Sequence, residues 1–234
     1  MPVIVLHGWG GRIESMSPVI HCLAGAFRVL ALDLPGFGES PVPAGGWGTP
    51  DYAAYVRDVI VAEGIEKAHF VGHSFGAKTA LCLAATHPEI AVKVVAAASS
   101  GLRMPPSVGA RARRIASRGA RAAGRLGAPG SALRDAVYKR IASSDYREAG
   151  PMRPTLVKVV NEDLSDQLRR VASPTLLIWG SSDDAVSLAQ AKRMEQLIPD
   201  AGLVVFEDAG HFAFLDDPQR FCRVIRHFLG APLA

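Results

Sequence analysis

Ser74 lies in the run Gly72-His73-Ser74-Phe75-Gly76, between a short apolar stretch (His69, Phe70, Val71) and good helix formers from Ala77 to Thr86. A serine at such a junction is held in a strained strand-to-helix turn that lifts its hydroxyl clear of the backbone. Glycine at 72 and 76 fits this reading, because a Cβ at either place would collide as strand and helix pack closely. The helix that opens at Phe75 aims its free N–H groups and positive dipole end at an oxygen gaining charge under attack. The chemistry on offer is nucleophilic attack on a carbonyl, with half of an oxyanion hole beside the nucleophile. The plainer alternative is a glycine-rich turn with an incidental serine, and the pentapeptide alone does not separate the two.

A serine nucleophile needs a base, and the base needs an orienting acid. Thr175 to Gly180 is an apolar β-type run followed by Ser181-Ser182-Asp183-Asp184, which puts a carboxylate just past a strand's C-terminal end. Leu203 to Glu207 is another such run, followed by Asp208-Ala209-Gly210-His211. The proposed set is Ser74 as nucleophile, His211 as general base and then acid, and Asp183 as the group that fixes the tautomer of His211. The order Ser…Asp…His is the one this kind of sheet scaffold uses. Asp184 is the rival for the acid role. No acid follows the strand Val92–Ala98, which runs into Ser99-Ser100-Gly101. His73 must point away from its neighbour Ser74, His87 before Pro88 reads as a helix C-cap, and His21, His69 and His227 read as surface or packing residues.

The second oxyanion donor is expected from the loop after the first apolar run, Val3-Ile4-Val5-Leu6. There His7-Gly8-Trp9-Gly10-Gly11 lets the backbone approach a bound acyl group. The N–H of Trp9 would pair with that of Phe75, while the indole serves as core or pocket wall. His7 is expected to tie the loop together.

These motifs need elements to carry them. Strands are expected near 2–7, 27–32, 67–73, 92–98, 174–180 and 202–207, alternating with helices near 14–25, 50–64, 75–86, 187–197 and 218–229. That alternation implies a mostly parallel sheet covered on both faces. Thr49 is expected to cap the second helix, with Pro50 at its first position. Phe221, Val224, Ile225 and Phe228 recur at helical spacing and form a core stripe.

Taken together, His7-Gly8-Trp9-Gly10, Asp33-Leu34-Pro35-Gly36-Phe37-Gly38-Glu39-Ser40, Gly72-His73-Ser74-Phe75-Gly76, Trp179-Gly180-Ser181-Ser182-Asp183 and Gly210-His211 resemble the α/β-hydrolase superfamily. The resemblance runs from Leu6 to the C-terminal helix. It implies an α/β-hydrolase fold of about six strands, with a core over 1–100 and 166–234. In that family an insertion after the fourth strand seen here forms a helical lid, so 101–165 is expected to cover the site and exclude water. Leu102, Met104, Leu133, Val137, Leu156 and Val160 are its candidate pocket walls. The strands that usually precede the His-Gly loop have no counterpart, so a trimmed sheet edge is expected, compatible with a homodimer or a covering segment there.

With 234 residues and 49% hydrophobic content, the chain can bury one large core. The N-terminal apolar run ends after four residues in the glycine-rich loop, so neither a signal peptide nor a membrane span is expected. Cys22, Cys82 and Cys222 are far apart and odd in number, which suggests reduced, buried thiols in a cytoplasmic protein. Charge is uneven: 101–165 holds 13 Lys/Arg against 5 Asp/Glu, although the whole chain carries +4. Arg111, Arg114, Arg118, Arg121 and Arg125 align along one helix face, a solvated face first and an anion-attracting surface second. No aromatic platform or reading motif accompanies them, so nucleic acid is not expected as the main partner.

The expected function is a cofactor-free serine hydrolase of carboxylic esters, needing no metal and taking a small-molecule substrate. Acyl transfer, carbon–carbon bond hydrolysis, perhydrolysis or a lyase reaction are the alternatives on the same three residues. A non-catalytic ligand-binding receptor is the alternative from another class. Dehalogenase and epoxide hydrolase chemistry is disfavoured, since the resemblance implies an aspartate nucleophile for those reactions.

Overall fold

Short apolar runs without alternation fit strands buried on both faces, and the inner strands of the sheet fold that way. The computed structural model describes residues 1–103 and 149–231. β1 (Val3–Leu6), β3 (Ala68–His73) and β5 (Thr175–Gly180) are buried along their whole length. With β2 (Val29–Leu32), β4 (Ala91–Ala97) and β6 (Ala201–Phe206) they make a six-stranded sheet in the order β2-β1-β3-β4-β5-β6. Every pairing is parallel. The chain leaves β1 towards β2 and then returns past it to β3, so the order reverses between β1 and β3. Such a switch point opens a crevice at the strands' C-terminal ends.

The described helices are α1 (Ser17–Ala24), α2 (Thr49–Ala62), α3 (Phe75–Thr86), α4 (Arg153–Val160), α5 (Ser165–Leu168), α6 (Leu188–Leu197), α7 (Ala213–Asp216) and α8 (Pro218–Leu229). They divide the core between the two faces of the sheet. One cluster packs Ile4, Leu6 and Phe70 with α2, α3 and α6; the other packs Val3, Val5 and Val71 with α1 and α8. The expected stripe on the last helix docks through Phe221, Ile225 and also Leu229, with Val224 and Phe228 half-buried. Among the described residues no helix is long and apolar enough to cross a membrane.

The cap of α2 departs from expectation. Gly48 is the N-cap, its N–H donating to Asp51 Oδ2 at 2.7 Å. Thr49 is the first helical residue, and its hydroxyl and N–H both donate to Glu162 instead, the latter at 2.9 Å. A carboxylate reaching in from elsewhere does the work that a local hydroxyl was expected to do, and it favours the positive end of the helix dipole. Glu162 also pairs with Lys78 Nζ at 2.9 Å, and Lys78 is 1% exposed. Burial pulls the Lys78 ammonium below its ordinary pKa; the hydrogen bond to Glu162 and that group's charge oppose the shift.

Of the stretch 101–165, the described part comprises 101–103 and 149–165, which contains α4 and the start of α5. Met104, Leu133, Val137 and the row Arg111, Arg114, Arg118, Arg121 and Arg125 lie outside the described residues.

The cysteines require a correction. Cys22 in α1 and Cys222 in α8 form a disulfide that spans 200 residues, while Cys82 is free and buried. Separation in sequence said nothing about separation in space, because both helices pack on the same face of the sheet. Burial first, and then the charge of Glu162, push the Cys82 thiol up to about 11, which leaves it protonated. Maleimide labelling of the denatured oxidised protein is expected to count one thiol, and three after reduction. Cys222→Ser should lower unfolding free energy by roughly 2–4 kcal/mol in urea titrations.

His69 in β3 is 5% exposed and its Nδ1 has no partner among the described residues. Burial, then the charges of Lys93 and the N-terminus, lower its pKa to about 4. The folded state therefore binds a proton less readily than the unfolded chain does. Its contribution is intact above about pH 6.5 and is lost as pH falls towards 4, by up to about 3 kcal/mol. Urea midpoints measured across that window should decline in the wild type and decline less in His69→Phe.

Candidate active site

The nucleophile turn follows from how closely α3 lies on the sheet. A Cβ on Gly72 would sit 2.5 Å from the backbone nitrogen of Ala77, and one on Gly76 would strike the carbonyl oxygens of Leu6 and His7. With no room to open, the junction residue takes the conformation that remains. Ser74 has φ 50° and ψ −109°, a left-handed backbone rarely accepted by a residue with a side chain. Its N–H donates to Ala97 O at 2.8 Å, which locks the turn to the end of β4. Phe75 is the first residue of α3, so its N–H belongs to the set that has no acceptor within the helix.

Across the crevice, the loop after β1 is held by two buried bonds of His7. Its Nδ1 meets Gly8 O at 2.7 Å, and its Nε2 accepts from Leu34 N–H at 3.0 Å. Since a carbonyl only accepts, Nδ1 carries the proton and the ring is neutral, consistent with a pKa lowered by burial. Asp33 extends the brace by accepting from Ile13 N–H at 2.8 Å and Glu39 N–H at 2.9 Å. Trp9 packs edge-on against Phe37 and Phe75, with centroids 4.9 and 5.6 Å apart. The His7 reading holds, and both halves of the expected oxyanion hole flank one cavity.

The loops after β5 and β6 are pressed together in the same way. A Cβ on Gly180 would run into the carbonyl oxygens of Ala209 and Gly210. Ser182 N–H donates to Ala209 O at 2.9 Å, and Asp208 N–H to Ser181 Oγ at 2.8 Å. This brings His211 Nδ1 to 2.9 Å from Asp183 Oδ2, on a carboxylate whose side chain is fully buried. The other oxygen, Oδ1, accepts from Ala185 and Val186 N–H groups at 2.9 and 2.8 Å. Burial alone would raise the Asp183 pKa, but the hydrogen bonds from His211, Val186 and Ala185 and the His211 charge outweigh it and lower the pKa. The carboxylate can only accept, so Nδ1 of His211 carries a proton and Nε2 is left as the basic atom. Asp183, rather than the exposed Asp184, is the residue brought to His211.

Ser74, His211, Trp9 and Phe75 line one cavity of about 820 Å³ at the switch point of the sheet. Leu156 and Val160 line it as expected, whereas Leu102 faces a separate hollow beside α6. Further apolar walls, Met16, Val159, Ala185, Val186, Phe212 and Phe214, were not expected from spacing. His73 points away from Ser74 as expected, but its partner was not foreseen. Its side chain leaves Ser74 and donates from Nε2 to His211 O at 2.9 Å, with its ring 4.8 Å from those of both His211 and Phe212. Burial, and then the charge of His211, lower its pKa to about 4, so it stays neutral. A histidine within the nucleophile motif and two aromatics just after His211 were the available signal. Among the described residues no group of His, Cys, Asp and Glu is arranged to hold a metal ion.

With this geometry established, the similarities to known proteins become informative. The pimeloyl-(acyl-carrier protein) methyl ester esterase of Aeromonas hydrophila is 29% identical over 247 residues, covering 97% of this chain and 95% of its own. The 2-hydroxymuconate semialdehyde hydrolase of Pseudomonas putida is 30% identical over 250 residues, covering 97% and 86%. A hydrolase of known structure from Pseudomonas aeruginosa superposes with a TM-score of 0.74 at 25% identity, over 98% of this chain and 90% of that one. The model of the alpha/beta hydrolase family matches residues 3–224, and the chain belongs to that family.

Proposed function

We propose that the protein hydrolyses carboxylic esters through an acyl-enzyme on Ser74. Ser74 Oγ attacks the ester carbonyl while His211 Nε2 takes its proton. The N–H groups of Trp9 and Phe75 receive the developing oxyanion. Collapse breaks the ester C–O bond, and the alcohol leaves with the proton from His211. A water then gives its proton to Nε2, attacks the acyl carbon and releases the acid, restoring Ser74. Asp183 holds the imidazole in the tautomer that leaves Nε2 bare and stabilises the imidazolium.

The observation that carries this reading is the 2.9 Å bond from His211 Nδ1 to buried Asp183, on the same cavity as a strained serine at a helix start. The cavity also suits an uncharged acyl chain. Arg12 and Glu14, the charged Arg and Glu side chains of its described lining, pair with each other at 3.2 Å. The rest is largely aliphatic and aromatic, with few polar groups to fix orientation. The resemblance to an esterase supports ester hydrolysis; the resemblance to a semialdehyde hydrolase supports carbon–carbon bond hydrolysis as the second reading. The cytoplasmic placement loses its footing in the cysteines, because the Cys22–Cys222 bridge suits an oxidising compartment.

A fluorophosphonate probe should label the wild type at Ser74 and leave Ser74→Ala unlabelled; labelling that persists elsewhere would refute the assignment. Asp183→Asn should retain the fold but lose about 10⁴-fold in kcat on nitrophenyl esters, because the imidazole then favours the wrong tautomer. Turnover of vinylogous diketones with no turnover of esters would move the protein to the second reading.

A further inference from the structure

The nucleophile helix carries a buried cation that the proposed reaction does not use. Lys78 lies one turn beyond Ser74, its N–H donating to Ser74 O at 3.0 Å. The ammonium reaches the helix that walls the cavity, donating to Val159 O at 2.6 Å and to Glu162 Oε2 at 2.9 Å. Glu162 in turn accepts from both donors of Thr49 at the start of α2. Gly48 makes room for this, since a Cβ there would strike Glu162 Oε1. Trp47 N–H adds a bond to Thr155 Oγ1 at 3.2 Å, and Lys158 Nζ one to Gly46 O at 3.1 Å. α4 therefore hangs from polar ties whose centre is a lysine rooted in the catalytic helix. The face of α4 so held presents Leu156, Val159 and Val160 to the cavity of Ser74.

We infer that Lys78, through Val159 O and Glu162, is a positioning residue that sets the acyl-chain preference of the cavity by fixing the distance of α4 from Ser74. The inference rests on the hydrolase reading for the meaning of the chain, but its geometry stands without any turnover. A helix held only by apolar contact could slide by fractions of a turn at little cost, because apolar contact has no direction. Hydrogen bonds from a buried ammonium fix both its depth and its rotation. Because the anchor springs from the helix that bears the nucleophile, wall and reacting atom keep a fixed spacing.

Removing Lys78 alone would leave a partly buried carboxylate without its cation, so the variant to measure is Lys78→Met/Glu162→Gln, which removes both charges and keeps an acceptor for Thr49. Binding of straight-chain carboxylates from butanoate to octanoate is measured by calorimetry in a Ser74→Ala background, with and without the pair of changes. The parent should gain up to roughly fourfold in affinity per added methylene, and the altered protein less than twofold. In the active background, KM for octanoate esters should rise about tenfold while kcat on acetate esters and the rate of labelling at Ser74 stay within about twofold. An identical chain-length slope in both proteins, or no slope in the parent, would overturn the inference. Loss of labelling and of all ester turnover in the wild type would instead overturn the esterase reading, with the carboxylate titration still deciding the role of Lys78.

Discussion

Everything at the edge that bears Ser74 depends on how little space separates α3 from the strands beneath it. Two positions, Gly72 and Gly76, admit no side-chain carbon at all, and the obstacles are backbone atoms that cannot rotate away. That contact accompanies the left-handed conformation of Ser74 and puts Phe75, the first residue of the helix, on the wall of the crevice. It also places the start of α3 beside the loop after β1, so Phe75 and Trp9 line the same cavity. The strain stored at the serine is held by neighbours that are more rigid than the turn itself.

The site's electrostatics follow a single rule: each buried polar group has a partner that fixes its protonation. His7 is neutral between a carbonyl and an N–H, and His73 is neutral while donating to the carbonyl of His211. Asp183 is ionised by three donors despite full burial of its side chain. The bond to Asp183 leaves Nε2 of His211 as the ring nitrogen without the proton, on the cavity that Ser74 also lines. Beneath it, Lys78 and Glu162 neutralise each other and bind three helices at their ends. Such a pair is costly to bury, and its directional geometry specifies one arrangement more than it adds stability.

Much of this was legible in the chain, for reasons that differ by residue. The strand and helix positions could be read because buried parallel strands are short apolar runs and helices repeat at three and four. α3 and α8 have the bounds that spacing alone suggests. The placement of Ser74, Asp183 and His211 at one edge was legible because each sits just past a strand's C-terminal end in a parallel sheet. What stayed hidden were pairings across space. The Cys22–Cys222 bridge, the rescue of the α2 start by Glu162 and the turn of His73 towards His211 all depend on which helices become neighbours. Leu102 was misplaced for the same reason, since a hydrophobic residue in a loop gives no direction.

The bridge between α1 and α8 has a topological result. It joins two points 200 residues apart, so the stretch between them becomes one closed loop. A protease that cuts once within that loop produces two pieces that remain a single covalent molecule. Ser74, Asp183 and His211 all lie between the two cysteines, so a single cut in the loops around the crevice leaves all three in one covalent molecule.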